Sequence, residues 1–346
     1  MSSSTSSSEP GAAPSAGASA AARWARFVRA FAVTAAVALT GALTLAFLLD
    51  PYDTGHTPLT FTEGVRPQGP RTAAASRGRD PAFRAAIFGN SHVQMISPEN
   101  LTAATTTPFV SLIAPGSGPR SALLLLDWFL RHHPRDAKAV IIGIDDAWCS
   151  ADPAMPEPNP FPYWLYERSL RDYLVGLMRF DVLEELQRRV TFVLARQPPR
   201  ARPDGYWDYE ADYTLSRHDT DPEKRAKLAQ PASFAAPNLT GRYPAAERLE
   251  AALAEATARP AVILVRPPVY HTALPAPGTP EAVSDAACRD AFAALAARRP
   301  RPALIDWRRD RPELRDPNQF FDHSHYRAPI ARLVEADIAA ALASLR

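Results

Sequence analysis

Beyond residue 81, short apolar runs alternate with longer stretches in which apolar residues recur at helical spacing. The runs are rich in Val and Ile and carry no charge, which is typical of strands buried on both faces of a sheet. They cover residues 85–88, 109–113, 139–144 and 261–265, with a weaker fifth run at 303–305. The pattern therefore predicts five strands.

The stretches between these runs predict amphipathic helices over 120–132, 245–258, 284–298 and 328–345. Strands that alternate with helices indicate an α/β fold with a parallel, doubly wound sheet. In such a sheet the catalytic groups are expected at the carboxyl ends of the strands.

Residues 147–244 interrupt the alternation. This segment is rich in Tyr, Trp and Pro, and its part 170–193 has the spacing of one or two amphipathic helices. We expect an aromatic-rich insertion after the third strand, lying over the active-site end of the sheet.

Another apolar segment lies near the N-terminus. Residues 30–49 carry no charge, and 20 residues match a hydrocarbon core of about 30 Å. Three arginines within 23–29 precede the segment and two aspartates within 50–53 follow it. By the positive-inside rule the N-terminus is expected in the cytoplasm and residues 50–346 outside.

This segment predicts a single-pass anchor in a bacterial inner membrane, with a periplasmic domain. Scarce Lys beside abundant Arg, Ala and Pro is typical of a GC-rich bacterial genome. A cleaved signal peptide is the alternative, but its apolar region is usually shorter, about 7–15 residues, and 46–49 lacks a small-x-small cleavage site. The expected order is a disordered cytoplasmic tail (1–29), the anchor (30–49), a linker (50–80) and the catalytic domain (81–346).

Composition excludes several classes of function. The formal net charge of the 346 residues is only +2, which argues against a nucleic-acid partner. No histidine or cysteine spacing suggests a metal, and we predict no cofactor. Cys149 and Cys288 are too few for a disulfide framework, and two unpaired thiols are favoured over a single bond between them.

The first candidate motif, Phe88-Gly89-Asn90-Ser91-His92, directly follows the first strand. A Ser at a strand-to-helix turn can present its hydroxyl at the edge of the sheet, and the following backbone N–H groups can face a developing oxyanion. Taken alone, such a loop is as well explained by residues that cap a helix.

The second motif, Phe321-Asp322-His323-Ser324-His325-Tyr326, precedes the last helix. A catalytic His needs a carboxylate to fix its tautomer, and Asp322 and His325 can meet within one turn. His323 is the rival base, but adjacent side chains diverge in an extended loop. A solvated polar loop is the structural alternative.

Both motifs fall on the same rim of a doubly wound sheet. A nucleophile, a base and an orienting acid would converge there, which is what activation of a weak Ser nucleophile requires. We therefore predict a triad of Ser91, His325 and Asp322.

These motifs resemble those of SGNH (GDSL-type) hydrolases over about residues 84–146 and 260–345. Gly89-Asn90-Ser91 matches the family's first block, and Asp322-x-x-His325 matches its last. The resemblance implies a flavodoxin-like sheet, Ser91 as nucleophile, His325 as general base and Asp322 as its partner.

The resemblance also implies an oxyanion hole with Gly116, after the second strand. The third block departs from the family, because Asp145 stands where the family often has Asn. A carboxylate cannot donate a hydrogen bond unless it is protonated. Asn90, or only the backbone N–H groups of Ser91 and Gly116, would then donate instead.

A narrower resemblance rests on the anchor, the Asp50-Pro51-Tyr52 stretch after it and the late Asp-x-x-His. The chain is similar to membrane-bound SGNH-like proteins of envelope modification, including alginate O-acetylation proteins and the D-alanine transfer protein of teichoic acid synthesis. This implies a membrane-bound O-acyltransferase as partner. The alginate proteins place their Asp-His pair before the Ser, so the order here favours the ordinary SGNH arrangement.

Arg266 and Trp148 are two candidate substrate contacts. Arg266 follows the fourth strand and could bind an anionic group, or form a salt bridge. Trp148 could stack on a sugar, as could Trp164 and Trp207, or these aromatic residues could form the core of the insertion. The leading hypothesis is a serine acyltransferase or esterase acting on an envelope polysaccharide or a small ester. The alternative is a catalytically inactive binding or scaffold protein with the same fold.

Overall fold

A five-stranded, all-parallel sheet forms the centre of the computed structural model, which describes residues 16–57, 59, 64–65, 69–195 and 202–344. The strands are β1 (Ala85–Phe88), β2 (Phe109–Ser111), β3 (Ala139–Gly143), β4 (Ala261–Arg266) and β5 (Pro302–Asp306). Their order across the sheet is β2-β1-β3-β4-β5, as in flavodoxin-type doubly wound sheets. The α/β fold and the five parallel strands are confirmed.

Eleven α-helices accompany the sheet in the described residues. They are α1 (Ala16–Leu49), α2 (Pro70–Arg79), α3 (Pro98–Thr105), α4 (Pro119–His132), α5 (Leu170–Gly176), α6 (Phe180–Ala195), α7 (Glu210–Leu215), α8 (Pro222–Lys227), α9 (Pro244–Glu255), α10 (Pro280–Ala297) and α11 (Ala328–Ser344). Helices α4, α9 and α10 cover one face of the sheet, and α3 and α11 cover the other.

The alternating direction of side chains along each strand explains why the core forms two layers, one on each face of the sheet. In β1, Ala86 and Phe88 pack with α4, whereas Ala85 and Ile87 pack on the opposite face. Successive side chains of a strand point to opposite faces, so a strand covered on both needs a continuous apolar run. This is why the apolar runs locate the strands.

Local signals fix where several of these helices begin. Ser97 precedes α3 and accepts a hydrogen bond from the N–H of Asn100, and Thr279 does the same for α10 with the N–H of Ala282. Proline occupies the first turn of both helices, where its missing N–H costs nothing.

Helix α1 begins earlier than the predicted anchor. It runs from Ala16 to Leu49, so residues 16–29, expected in a disordered tail, are helical. Alanine dominates this part and is the strongest helix former. Residues 20–49 are long and apolar enough to be a candidate membrane span or signal sequence. Residues 1–15 lie outside the described residues.

The segment expected as a linker, 50–80, is partly packed instead. Asp50 accepts hydrogen bonds from the Thr54 hydroxyl and the Gly55 N–H, and Tyr52 is buried. Helix α2 forms within the segment and packs against α4. These two polar partners of Asp50 lie within the segment itself, so local hydrogen bonds order it together with packing, which composition does not reveal.

The segment between β3 and α9 contains no strand among its described residues. In its first part, Tyr166 and Tyr173 join the core beside α4, and α6 packs against α1. Asn159 of this part reaches the carboxyl edge, where its amide donates to the Gly116 carbonyl at 2.9 Å. The later part approaches the second motif through Tyr209 and Tyr213. The expected position over the active-site end therefore applies to the later part and, in the first part, to the surroundings of Asn159.

Cys149 and Cys288 form a disulfide, so the expectation of unpaired thiols is wrong. The bond joins the turn after β3 to α10 across 139 residues of sequence, with the two Cα atoms 5.5 Å apart. Sequence spacing cannot reveal such a long-range approach, because only the packing of α10 against the turn 146–149 creates it.

Candidate active site

Ser91 opens a short 3-10 helix, 91–93, immediately after β1. Gly89 precedes it with φ of +144°, a region that disfavours side chains, and a Cβ there would lie 2.7 Å from Val93 Cγ2. The Asn90 side chain caps the turn by accepting from the His92 N–H. Capping is thus the role of Asn90, and the hydroxyl of Ser91 is left for another partner.

That partner is His325. Its Nε2 lies 2.9 Å from Ser91 Oγ, although 234 residues separate the two in sequence. An antiparallel bridge between Phe320 and Tyr326 closes the turn that carries His325, and the Phe321 N–H donates to the His325 carbonyl at 2.9 Å. The C-terminal turn is therefore fixed directly beside the turn after β1.

Asp322 completes the chain of hydrogen bonds. Its Oδ2 lies 2.8 Å from His325 Nδ1, and its Oδ1 accepts from the backbone N–H groups of Ser324 and His325. Burial alone would raise the pKa of Asp322, but these hydrogen bonds outweigh it and hold the pKa well below its usual range. The carboxylate is therefore ionised and can hold the proton on Nδ1.

His323, the rival base, points elsewhere. It is half-buried, and its Nε2 lies 3.0 Å from the Gln230 carbonyl oxygen. The two histidines of this turn thus have distinct surroundings, and only His325 contacts Ser91.

Two tyrosines that the sequence analysis did not assign surround the His325 ring. The ring centroids of Tyr209 and Tyr213 lie 5.4 and 5.0 Å from that of His325. The Tyr209 hydroxyl donates to the Tyr326 carbonyl at 2.7 Å, and the Tyr213 hydroxyl is 3.4 Å from Asp322 Oδ2. They restrict the imidazole to the orientation that faces Ser91. Their only sequence signal is the aromatic richness of residues 147–244.

Asp145 and Asn90 do not act as free donors toward the cleft. The Asn90 amide donates both to Asp145 Oδ2 and to the Ser117 carbonyl, so its donors are occupied. Asp145 also accepts from the Ala147 N–H, and its Oδ2 lies 3.1 Å from His92 Nδ1. Both were candidate oxyanion donors, and the structure gives them a supporting role in the turn instead.

His92 and Asp145 each stabilise the charged form of the other. Burial alone would lower the pKa of His92, but the hydrogen bond and the charge of Asp145 outweigh it and raise the pKa. Burial would raise the pKa of Asp145, but the hydrogen bonds from His92 and Asn90 lower it. Asp145 is therefore a carboxylate that accepts and does not donate.

Gly116 lies in the loop after β2, next to Pro115, which lines the cleft. Its φ is +62°, and a Cβ at this position would lie 2.5 Å from Asn159 Nδ2. Within the described residues, neither the Gly116 N–H nor the Ser91 N–H donates to a protein oxygen. These two backbone groups remain the candidate oxyanion donors.

A cleft of about 970 Å³ opens beside Ser91 and His325. One wall is the start of α2, and the opposite wall is the aromatic stretch 205–213. Arg71 and Arg77 supply positive charge on the first wall, and Tyr206 and Trp207 supply rings on the second. Trp207 is exposed, and its indole N–H donates to Asp212 at 3.1 Å, which fixes the ring.

The two predicted substrate contacts lie elsewhere. Trp148 is 2% exposed and packs edge-on against Phe292, so it belongs to the core. Arg266 is 1% exposed and forms ion pairs with Asp285 and Asp306. Neither side chain reaches the cleft, so both expectations of substrate contact are wrong. The alternatives, a core aromatic and a salt bridge, describe them.

Arg266 belongs to a separate group of buried charges at the same edge of the sheet. We call it the arginine cluster; its members are Arg266, Arg308, Asp146, Asp285 and Asp306. Every carboxylate in it contacts an arginine. The described residues contain no group of three His, Cys, Asp or Glu side chains that could hold a metal ion.

No protein-family model matches this chain, and no curated protein is similar enough to match it. Any conclusion about activity therefore rests on the geometry of Ser91, His325 and Asp322. In that geometry the base can take the serine proton through Nε2 while the carboxylate stabilises the imidazolium that forms.

Proposed function

We propose that the protein is an SGNH-like serine acyltransferase or esterase that acts on O-acyl groups of an envelope polysaccharide or a similar ester. The observation that carries this proposal is the continuous chain of hydrogen bonds from Asp322 through His325 to Ser91, which ends at the cleft.

In the proposed reaction, Ser91 Oγ attacks the acyl carbonyl carbon and His325 Nε2 takes the hydroxyl proton. The bond between the acyl carbon and the leaving oxygen then breaks, and His325 returns the proton to that oxygen. An alcohol departs and an acyl-serine ester remains. In the second half, His325 deprotonates water or a sugar hydroxyl, which attacks the ester and frees Ser91.

The tetrahedral intermediates of both halves carry a negative oxygen. We assign its stabilisation to the backbone N–H groups of Ser91 and Gly116, because the Asn90 and Asp145 side chains are occupied by each other. The arrangement requires the turn after β1 to keep its shape, which Asn90, His92 and Asp145 support.

The proposed location is the periplasmic side of a bacterial inner membrane, with α1 as the anchor. Three arginines at the N-terminal end of its apolar part favour a cytoplasmic N-terminus. The disulfide between Cys149 and Cys288 supports an extracytoplasmic domain, because disulfides persist mainly in oxidising compartments.

A polysaccharide substrate is supported by the wall of the cleft opposite α2. Trp207 is exposed yet fixed by its bond to Asp212, and such a ring can stack on the apolar face of a sugar. Trp207 is one of the three tryptophans for which the sequence suggested this role. A membrane-bound O-acyltransferase remains the proposed source of acyl groups.

A second candidate function is an inactive binding or scaffold protein with the same cleft. The observation that favours it is Asp145, a carboxylate at a position where related enzymes often use an amide that donates to the oxyanion. Such a protein would bind an acylated glycan without forming a covalent bond to Ser91.

Turnover of p-nitrophenyl acetate by the full-length protein in detergent separates the two functions. Replacement of Ser91 or His325 by Ala should lower kcat at least about a thousandfold, because nucleophile and base act as a unit. His323→Ala is the matched control, since it removes a histidine from the same turn and should retain activity. Equal background rates for all four proteins would favour the binding protein.

A further inference from the structure

The length of α1 outside the domain does not match the thickness of a membrane. Its charge-free part runs from residue 30 to residue 49, but its C-terminal end is covered by protein: Leu43, Phe47 and Leu49 pack against the core, and Ala46 is buried. From Leu43 onward one side of the helix packs against the domain while Leu45 stays 49% exposed, so only residues 30–42 are charge-free with neither side covered. These 13 residues span about 20 Å, against a hydrocarbon core of about 30 Å.

The uncovered, charge-free part of α1 is about 10 Å shorter than the hydrocarbon core. A further length of about 10 Å therefore has to lie in hydrocarbon at one end of the helix. Meeting it at the N-terminal end would draw Arg26 and Arg29 into hydrocarbon, which is unfavourable for charged side chains. Trp24, which is exposed, suits the interface at that end, where Trp is enriched. The other end, where the domain surrounds residues 43–49, is therefore the one to be immersed.

The protein surface at that level is α5 and α6. Helix α6 packs against α1, Arg189 of α6 donates to the Leu49 carbonyl at 3.3 Å, and Tyr173 of α5 lies edge-on to Phe47. Whatever packs beside the last two turns of α1 lies at the same depth as those turns.

This surface exposes apolar side chains at an unusual density. Of the thirteen large apolar residues that are exposed outside α1 in the described residues, six lie within residues 170–195. Their side chains are 50% to 79% exposed, and they are Leu170, Val175, Met178, Phe180, Leu183 and Leu194. Clustered exposed apolar residues mark an interaction surface, whereas single ones do not.

Charged residues on the same helix are compatible with an interfacial position. Asp181 pairs with Arg179 at 3.2 Å, and Glu184 pairs with Arg188 at 3.5 Å, so each exposed acid of α6 has a cationic neighbour, whereas the exposed Asp172 of α5 follows Arg171 without an ion pair in the described residues. Long arginine side chains can direct their charge to the headgroups while their stems lie along apolar surface.

We propose that the α5–α6 surface, defined as the exposed side of residues 170–195, is embedded in the outer-leaflet interface of the bilayer that α1 spans. The immersion is about 10 Å deep, within the usual range for interfacial helices, and makes up the missing length of the anchor. This inference depends on α1 as the span and is independent of the chemistry at Ser91.

The consequence for the active site is a fixed position relative to the membrane. Helix α2 joins the cleft to the anchor, because Arg71 and Arg77 line the cleft and Arg79 at its end pairs with Asp53, which follows α1. Together the span and the interfacial helices would hold the domain in one orientation, which a single flexible anchor cannot do.

Spin labels on the full-length protein in nanodiscs of phosphatidylethanolamine and phosphatidylglycerol test the proposal. The labelled variants are Phe180→Cys, Leu183→Cys and, as matched control, Leu333→Cys on α11, an exposed apolar residue on the opposite face of the sheet. Labelling without reductant keeps the native disulfide intact. The measured quantity is the accessibility of each label to oxygen relative to a water-soluble nickel chelate.

We expect labels at 180 and 183 to be several-fold more accessible to oxygen than to the chelate, and the label at 333 to show the reverse. Equal values at all three positions would overturn the proposal. So would labels at 180 and 183 that are aqueous in nanodiscs but shielded in native membranes, because a protein partner would then cover the surface. Equal melting temperatures of the three variants establish that the labels report on a folded domain.

Discussion

Two groups of charged side chains lie along the carboxyl edge of the sheet. They differ in whether their hydrogen bonds lead to a group that faces a cleft. In the first, Asp322 and His325 form a chain whose last member, Ser91, faces the cleft. In the second, the arginine cluster, each carboxylate is matched by a guanidinium, as Asp306 is by Arg266. The first group ends on the hydroxyl of Ser91, and the second is a set of ion pairs without a nucleophile.

The contrast between the two groups shows which features separate a candidate catalytic group from a structural set of ion pairs. Position at the carboxyl edge is common to both groups, so it cannot distinguish them. Arg266 looked like a substrate contact for that reason, yet its side chain is buried between Asp285 and Asp306. What distinguishes Ser91 is a base that contacts it and a cleft on its other side.

The largest expected effect is a loss of kcat when the group of Asp322, His325 and Ser91 is changed. Asp322→Asn should lower kcat about a hundred- to ten-thousandfold, because an amide cannot stabilise the imidazolium and can hold His325 in the wrong tautomer. Ester turnover by the full-length protein measures this. The matched control is Asp310→Asn, which removes an exposed carboxylate paired only with Arg315. A variant at Asp322 with wild-type kcat would show that the carboxylate does not take part.

Removal of an arginine from the arginine cluster should lower the stability of the fold and leave ester turnover unchanged. Arg266→Ala leaves Asp306 and Asp285 buried beside an empty site, and the free energy of unfolding should fall by about 3–5 kcal/mol. Denaturation in urea measures the loss, and kcat/KM of the folded variant should stay within about threefold of the wild type.

Arg309→Ala is the control for Arg266. Arg309 pairs with the same Asp306 but its side chain is 62% exposed, so its removal should cost no more than about 1 kcal/mol. A large rise in KM for Arg266→Ala without loss of stability would restore the arginine as a substrate contact.

Removal of the disulfide should also act on stability. Replacing Cys149 and Cys288 together by Ala should lower the free energy of unfolding by about 2–5 kcal/mol, because the bond closes a long loop in the unfolded chain. Reductant should produce a similar loss in the wild-type protein and none in the double variant. If reductant destabilised both proteins equally, the loss would have another origin.

Glu335 provides the smallest expected effect, and its size depends on pH. This carboxyl of α11 accepts from the Ser97 N–H, and burial raises its pKa to about 7 from an ordinary value of 4.5. Between these two values the folded protein retains a proton that the unfolded chain has lost. Stability therefore falls as the pH rises through this window and levels off above it.

Glu335→Gln should remove that slope. Relative to the wild type, the variant should gain about 1–3 kcal/mol in free energy of unfolding between pH 4.5 and pH 7. Urea denaturation at a series of pH values measures the difference between the two proteins, which cancels the titration of all other groups. A difference that is constant with pH would contradict the raised pKa.

Much of the sheet could be predicted because burial on both faces leaves a continuous apolar run, as in β3 and β4. The meeting of Ser91 with Asp322 and His325 could be anticipated for the same reason: parallel strands bring their carboxyl ends to one edge. The sequence also distinguished His325 from His323, because residues three apart in a turn approach one another and adjacent ones diverge.

Contacts between distant segments could not be predicted. Tyr209 and Tyr213 reach His325 only because residues 202–234 fold back over the second motif, and no local pattern encodes that path. Cys149 meets Cys288 because α10 packs against the turn after β3. Trp148 looked suited to a sugar, but its side chain turns into the core against Phe292. Burial of a single aromatic residue depends on neighbours that sequence periodicity does not identify.

The central claim is that Ser91 is an activated nucleophile, and reaction with a fluorophosphonate probe tests it most directly. Full-length protein in detergent is treated with the probe, and the modified peptide is identified by mass spectrometry. The account predicts one adduct, on Ser91, that is absent from Ser91→Ala, forms far more slowly in His325→Ala and is unaffected by His323→Ala. Absence of an adduct on Ser91, or equal labelling of His325→Ala and the wild type, would contradict it.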